Sequence, residues 1–288
     1  MSEYILEATD IRKTFGKGPR QVVAVDGISV KIPRGKTLGI LGESGSGKST
    51  LGRCILRLIE PDSGEIKFEG KVLSGIPQSQ FRPYRRNMQM IFQNPFSSLN
   101  PKMSIGEAIE DPMRIWKVGD KESRRKRVQE LLEMVGIHPR RANSFPYEFS
   151  GGQQQRINIA RALSLDPKFI VCDEVVSALD VSIQTQIVNL LMDLQKQLGL
   201  TYLFISHNLG VVEYLSDEVL IMQHGKLVEY GATDEIFNHP KSEYTRSLIA
   251  SVPAMPTPEQ LQAKLAARIS ARHAAAAGSA ARAAAVSR

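Results

Sequence analysis

Cysteine is scarce. Cys54 and Cys172 are the only two in 288 residues, which excludes a disulfide framework and a cysteine-based metal cluster. Both lie among apolar neighbours and are expected in the core, where a free cysteine behaves as a small hydrophobe. Long apolar runs are missing too: no stretch approaches the roughly 18–20 residues needed to cross a bilayer. The opening "MSEYILEATD" is acidic and too polar for a secretory signal. The chain is therefore expected to stay where it is made and to meet a membrane only through a partner or a surface patch. Net positive charge is small on the body. The net charge is +7, but from Glu259 onward five Lys or Arg face one Glu, so this tail carries +4 and leaves +3 for the rest. Nucleic-acid binding calls for a basic stripe on the folded domain, so no nucleic-acid partner is expected.

What the chain does have is a hydrophobic share of 42%, enough for one large domain or two modest lobes. "YILEATDI" and "GISVKI" alternate apolar and polar residues, the pattern of an antiparallel sheet. "KTLGILG" is continuously apolar, as in a buried parallel strand. "STLGRCILRLI" has helical spacing, and "SGEIKFEG" and "RNMQMIFQ" are further strand candidates. From about Pro101 to Pro146 the pattern turns helical, in "SIGEAIEDPM" and "ESRRKRVQELLEMVG"; "SRRKR" reads as the solvated face of one such helix. Strands and helices then alternate: "KFIVCDE", "VSIQTQIVNLLMDLQKQLG" and "TYLFISH". That alternation argues for a parallel sheet with crossover helices. Two short strands, "DEVLIMQ" and "GKLVEYG", and two short helices finish the body. "SVPAMPTPEQ" is a proline-broken linker, and the alanine-rich segment after it has no large apolar face to bury.

The chemistry begins at "GESGSGKST". Gly42, Gly47, Lys48 and Ser49 fit G-x-x-x-x-G-K-[ST] between a predicted strand and a predicted helix. Glu43, Ser44, Gly45, Ser46 and Thr50 complete the loop. Glycines let backbone N–H groups curl around a phosphate, and the following helix aims its positive end at the same anion. Lys48 adds a full charge, and the Ser49 hydroxyl can ligate Mg²⁺. "FIVCDE" supplies the anionic partner at the carboxyl end of a buried strand, where ligands gather in open α/β sheets. There Asp173 is expected to hold Mg²⁺ and Glu174 to polarise the attacking water. A second candidate cradle is "FSGGQQQR": Ser150 is a good N-cap type, and the helix it opens exposes N–H donors.

Together, "GESGSGKST", "FSGGQQQR", "FIVCDE", "SALD" and "ISH" resemble the ATP-binding subunit of ABC transporters, over roughly residues 4–252. The resemblance implies an α/β P-loop NTPase: a mostly parallel core sheet, an N-terminal antiparallel β subdomain and an inserted helical subdomain at about 96–160. Residues 253–288 would follow as linker and disordered tail. It implies ATP and Mg²⁺ as cofactors. In that family two ATPase domains meet head to tail, each ATP lying between the P-loop of one and the signature of the other. Ser150, Gly151, Gly152 and Gln153 match that signature, with Phe149 standing where Leu is usual. Gln93 matches the Q-loop residue that senses the γ-phosphate and Mg²⁺, His207 the switch histidine, and Asp180 the D-loop aspartate at the subunit contact. Phe15 is the aromatic expected to stack on adenine. "VVSALD" lacks the proline common in relatives, with little consequence expected.

Three stretches narrow the resemblance: "QNPFSSLNPKMSIGEAI", "SALDVSIQTQIVNLL" and "YTRSLIASVP" look like the ATPases of the bacterial dipeptide, oligopeptide and nickel importer group. That group implies a second ATPase subunit, identical or different, two transmembrane permease subunits docked on about Phe96 to Phe145, and indirectly a solute-binding protein. It places the subunit peripherally on the cytoplasmic face of the inner membrane. Peptides are the favoured solute; nickel, glutathione-like and opine-type solutes stay open. Many members hold an iron–sulfur centre near the carboxyl end; with no cysteine after Cys172, none is expected here. The alternative is a soluble ABC-type ATPase of DNA repair or translation. Such proteins usually carry long coiled coils, zinc insertions or paired ATPase units, none of which the sequence has.

Overall fold

In the computed structural model, which describes residues 3–251, the alternating start forms β1 (Tyr4–Phe15) and β2 (Val22–Pro33). They pair antiparallel, from Tyr4 opposite Pro33 to Phe15 opposite Val22. The apolar run forms β3 (Thr37–Leu41), whose five residues are all buried. The chain continues through α1 (Lys48–Ile55), β4 (Ser63–Phe68), β5 (Lys71–Val72), α2 (Gln78–Phe81) and β6 (Met88–Ile91). Four helices follow: α3 (Pro95–Ser98), α4 (Ile105–Ile115), α5 (Lys121–Met134) and α6 (Gly151–Leu163). Then come β7 (Phe169–Asp173), α7 (Val181–Leu198), β8 (Thr201–Ile205), α8 (Leu209–Leu215), β9 (Glu218–Gln223), β10 (Lys226–Ala232), α9 (Thr233–Asn238) and α10 (Glu243–Ala250). The sequence pattern did not single out α8.

Two sheets result. One is antiparallel, in the order β2-β1-β4-β5. The other runs β10-β9-β3-β8-β7-β6, with β9 to β6 parallel and β10 antiparallel at its edge. This is the expected mixed architecture. Strands β3, β7 and β8 are buried at every position, which is why they read as unbroken apolar runs. The helices α3 to α6 form an excursion between β6 and β7, which are sheet neighbours with Met88 opposite Phe169.

A single core holds the phosphate-loop helix in place. It joins Leu6, Ile11, Val25 and Phe68 of the first sheet, Leu51, Cys54 and Ile55 of α1, and Ile40, Val171, Leu203 and Ile205 of the second. Each aliphatic side chain so buried contributes about 1.5–3 kcal/mol. Cys54 and Cys172 are both buried, as expected.

Two sequence expectations needed correction. The helix expected over "STLGRCILRLI" stops at Ile55, and Arg57 takes a left-handed φ of 47°. Tertiary bonds override helical spacing there: the buried Arg57 guanidinium donates to the Leu73 and Ile76 carbonyls and to Glu60. The run "SRRKR" is not wholly a solvated face. Arg124 pairs with Glu110 at 2.8 Å, and Arg127 with Asp166 at 2.6 Å and Glu130 at 3.1 Å. Both are half-buried, while Arg125 and Lys126 face solvent.

The described chain up to Ile249 is one compact unit, and the fold above is that of this unit. The expected linker and alanine-rich tail, 253–288, lie outside the described residues. Among the described residues no helix is long and apolar enough to cross a membrane.

Candidate functional site

The loop between β3 and α1 is fixed from two sides. Gly47 caps α1 with φ 99°, and a Cβ there would collide with the Ala24 carbonyl at the start of β2, so only glycine fits. On the other side, the Gly225 N–H in the β9–β10 turn donates to the Ser46 carbonyl at 3.0 Å. The loop thus curls with its N–H groups available at the start of α1.

Lys48 is 4% exposed. Its ammonium donates to the Gly42 carbonyl at 2.8 Å, the Glu43 carbonyl at 2.7 Å and the Ser46 hydroxyl at 3.4 Å. Three donors meet three acceptors of the loop itself. Burial lowers the Lys48 pKa, against the raising pull of Glu174, Asp173 and Glu43. The cation is therefore held at the head of α1 in a place costly to its charge, which favours an anion beside it.

At the end of β7, Asp173 is 2% exposed. Ser49 donates to it at 2.6 Å, and an Arg53 guanidinium nitrogen lies 3.5 Å from its other oxygen. Burial raises the Asp173 carboxyl pKa; the Ser49 hydrogen bond and the charge of Arg53 pull it down.

Glu174, the next residue, takes a left-handed φ of 49°. Its N–H donates to the Ile205 carbonyl of β8 at 2.9 Å. The turn swings its carboxylate away from the strand, and two distant residues converge on one oxygen. Gln93 donates to Oε2 at 2.7 Å, and His207 Nδ1 lies 3.6 Å from the same atom. A non-glycine residue in this region costs about 1–3 kcal/mol and persists where surrounding structure imposes it.

A cleft of about 430 Å³ is lined by Ser44, Gly45, Gly47, Lys48, Ser49, Thr50, Gln93 and Glu174, together with Val22, Val23, Ala24 and His224. A hollow of about 490 Å³ between α4 and α5 is slightly larger, but it holds none of these groups. Phe15 does not line the cleft; it is 42% exposed and lies opposite Val22, which does line it, with Lys13 Nζ 5.6 Å from its ring.

The signature residues are placed elsewhere. Ser150 caps α6: its hydroxyl accepts from the Gln153 N–H at 3.4 Å, and the Gln153 side chain accepts from the Ser150 N–H at 3.1 Å. Gly151, Gly152 and Asp180, the N-cap residue of α7, are likewise absent from the cleft lining. The two helix starts pack together, and a Cβ on Gly152 would strike Ile183. Phe149 is buried under the Arg141 guanidinium, 4.2 Å from its ring centre, so the replacement of Leu is absorbed by packing.

Sequence reasoning missed His224, which lines the cleft from the β9–β10 turn with φ 48°. "HG" between two strands signals a tight hairpin. Nothing local says that this hairpin folds over the phosphate loop; that follows from the pairing of β9 with β3.

Comparison with known proteins decides the family. The family described as ABC transporter matches residues 25–177, and the one described as oligopeptide/dipeptide transporter, C-terminal region, matches residues 228–279. The chain belongs to the ABC transporter family. It is 49% identical to the oligopeptide transport ATP-binding protein OppF of Bacillus subtilis (strain 168) over 261 residues, 90% of this chain and 85% of that one. Among solved structures, a dimeric ATP-binding cassette in a post-hydrolysis state, bound to ADP and Pi, superposes with a TM-score of 0.72. It is 30% identical and covers 79% of this chain and 98% of its own. CbiO1 of Clostridium perfringens, part of the ABC transporter complex cbiONQ, superposes with a TM-score of 0.75 at 28% identity, covering 88% of this chain and 97% of its own. The matched residues 25–177 include the Lys48 loop, Gln93, the Ser150 helix start and Glu174.

Proposed function

We propose that the chain hydrolyses ATP to drive a bacterial importer of di- or oligopeptides, as an ATPase subunit on the cytoplasmic face of the inner membrane. Convergence of Gln93 and His207 on Glu174, beside the Lys48 loop, carries the hydrolytic reading. The match of residues 228–279 and the OppF relative favour peptide import. Nothing among the described residues favours the alternative role in DNA repair or translation.

The half-buried Ser49 and the buried Asp173 form a pair of oxygen ligands, which suits a hard divalent cation. They would hold Mg²⁺, with the Gln93 amide oxygen available to it; when bound, that ion neutralises charge on the phosphates. Lys48 binds the terminal phosphates from its place in the loop. Glu174 orients the attacking water and takes up its proton. His207 and Gln93 hold the Glu174 carboxylate toward the cleft. Phe15, paired with the cleft-lining Val22, stacks on adenine.

Ser150 to Gln153 and Asp180 lie outside this chain's own cleft, so a second ATPase subunit, identical or different, completes each site head to tail. Two permease subunits dock on the helical insert, about Phe96 to Phe145, and a solute-binding protein delivers the peptide to them. Nucleic acid has no part in the cycle. The test is reconstitution of the chain with its co-expressed permeases in proteoliposomes. ATP-dependent peptide uptake with phosphate release, absent for Glu174→Gln, is the expected result. Uptake that proceeds without ATP, or phosphate release equal in the variant, overturns the proposal.

A further inference from the structure

The C-terminal segment "YTRSLIASVP" lies far from the nucleotide motifs in sequence, yet its first residue reaches the phosphate loop. The Glu43 N–H donates to the Tyr244 hydroxyl oxygen at 3.4 Å, across 201 residues. That N–H belongs to the planar peptide unit Gly42–Glu43. The carbonyl of the same unit, on Gly42, accepts from Lys48 Nζ at 2.8 Å. One rigid plate is therefore held at both edges, by Tyr244 on its donor side and by the Lys48 ammonium on its acceptor side.

Tyr244 is itself anchored. The Glu229 carboxylate on β10 accepts from the Lys241 N–H at 2.9 Å and the Ser242 N–H at 3.1 Å, just before α10. Lys241 Nζ pairs with Glu235 at 2.6 Å, and Arg246 donates back to the Pro240 and Lys241 carbonyls at 3.2 and 3.1 Å. Thr245, next to Tyr244, is fully buried. The start of α10 is thereby fixed on β10, and β10 continues from the hairpin whose Gly225 bonds Ser46. The C-terminal segment and the hairpin thus brace the loop at two separate peptides.

We propose that Tyr244 is a positioning residue for the ATP phosphates, its hydroxyl fixing the Gly42–Glu43 peptide so that the loop and Lys48 keep a phosphate-ready shape. The inference rests on the ATP-binding reading above. It gives the C-terminal region a direct mechanical link to the catalytic loop: displacement of α10 releases one edge of the plate that orients Lys48. Fixing the loop beforehand reduces the ordering cost of binding and leaves the chemistry at Glu174 untouched.

The test uses full-length chain and a fluorescent ATP analogue. Tyr244→Phe removes only the hydroxyl. Loss of one net hydrogen bond corresponds to roughly a 2–10-fold rise in Kd, toward the lower end because the bond is long. KM for ATP should rise in parallel while kcat stays within about twofold. Glu229→Gln, which weakens the anchor of α10, should raise Kd in the same direction. The double variant should fall short of the product of the two effects, as coupled residues do. An unchanged Kd in Tyr244→Phe, with or without a lower Tm, overturns the proposal and makes Tyr244 a packing residue. So does a fall in kcat with KM unchanged. Lys48→Ala is the control. If it too binds the analogue normally, the nucleotide reading itself has failed; if it alone loses binding, only the role of Tyr244 has.

Discussion

Ser49 donates its hydroxyl hydrogen to Asp173 across 2.6 Å, joining the first turn of α1 to the last residue of β7. The bond spans 124 residues and fixes the two motifs in one geometry before any nucleotide arrives. It also carries a cost. Burial raises the Asp173 pKa above its unfolded value, the Ser49 bond and Arg53 only partly opposing this. The folded state then binds that proton more tightly than the unfolded one. The stability this group contributes is present below the unfolded carboxylate pKa and is lost as pH rises through the raised folded pKa. Above the unfolded pKa the group is therefore a net burden. Asp173→Asn, which keeps an acceptor for Ser49, should therefore raise the Tm of nucleotide-free protein near neutral pH, with the gain shrinking as pH falls. The same variant should lose hydrolysis and the added stabilisation from Mg·ATP. Thermal unfolding at several pH values, with and without Mg·ATP, checks both parts; a variant less stable than the parent near neutral pH contradicts the first.

Glu174 is held by its backbone turn and by Gln93, so its carboxylate stands where a base is useful. Glu174→Gln preserves the side-chain shape and should slow hydrolysis by about 10²–10⁴, the usual contribution of a positioned base. ATP affinity should survive, because Lys48 and the loop are untouched. Single-turnover phosphate release together with equilibrium binding separates the two effects. Loss of affinity would assign Glu174 to binding instead.

The cysteines offer a probe of the core around the phosphate loop. Burial pushes the Cys54 thiol up to about 11 and raises Cys172 further. The reactive species is the thiolate, so neither should label in native protein at mildly alkaline pH, and both should label in urea. Cys54 lies on α1 in the cluster that joins the two sheets. Its labelling reports opening of that core, and bound ATP should slow it by mass action. Prompt labelling of native protein would contradict the burial of both side chains.

Much of this site was legible in the sequence, for a physical reason. A phosphate loop, a buried strand ending in two acids and a capped helix start each carry their chemistry within about ten neighbouring residues. What was not legible depends on long-range packing. The end of α1 is set by Arg57 reaching Leu73 and Ile76, which helical spacing cannot register. His224 and Tyr244 reach the loop only because β9 pairs with β3 and α10 docks on β10. Arg124 and Arg127 sit in a charge run that looks uniformly solvated, yet their partners Glu110 and Asp166 lie on α4 and in the α6–β7 connection. Periodicity assigns a face to a helix; it does not say which neighbouring charge that face will meet.

Ser150 separates binding from turnover. It is exposed at the start of α6 and does not line the cleft. Ser150→Arg removes its bond from the Gln153 N–H and so costs roughly 0.5–2 kcal/mol of stability. It should leave ATP affinity of the isolated chain nearly unchanged. If the α6 N-terminus of one copy meets the phosphates held by another, a bulky cation there blocks closure, and turnover should vanish. Ser150→Ala is the companion: it loses the same cap without the bulk, so equal stability loss with retained turnover assigns the defect in Ser150→Arg to closure, not folding. Equilibrium ATP binding, Tm and steady-state phosphate release on the three proteins decide it. Should Ser150→Arg lower ATP affinity in the isolated chain as Lys48→Ala does, the signature acts on its own cleft and the two-copy site is wrong.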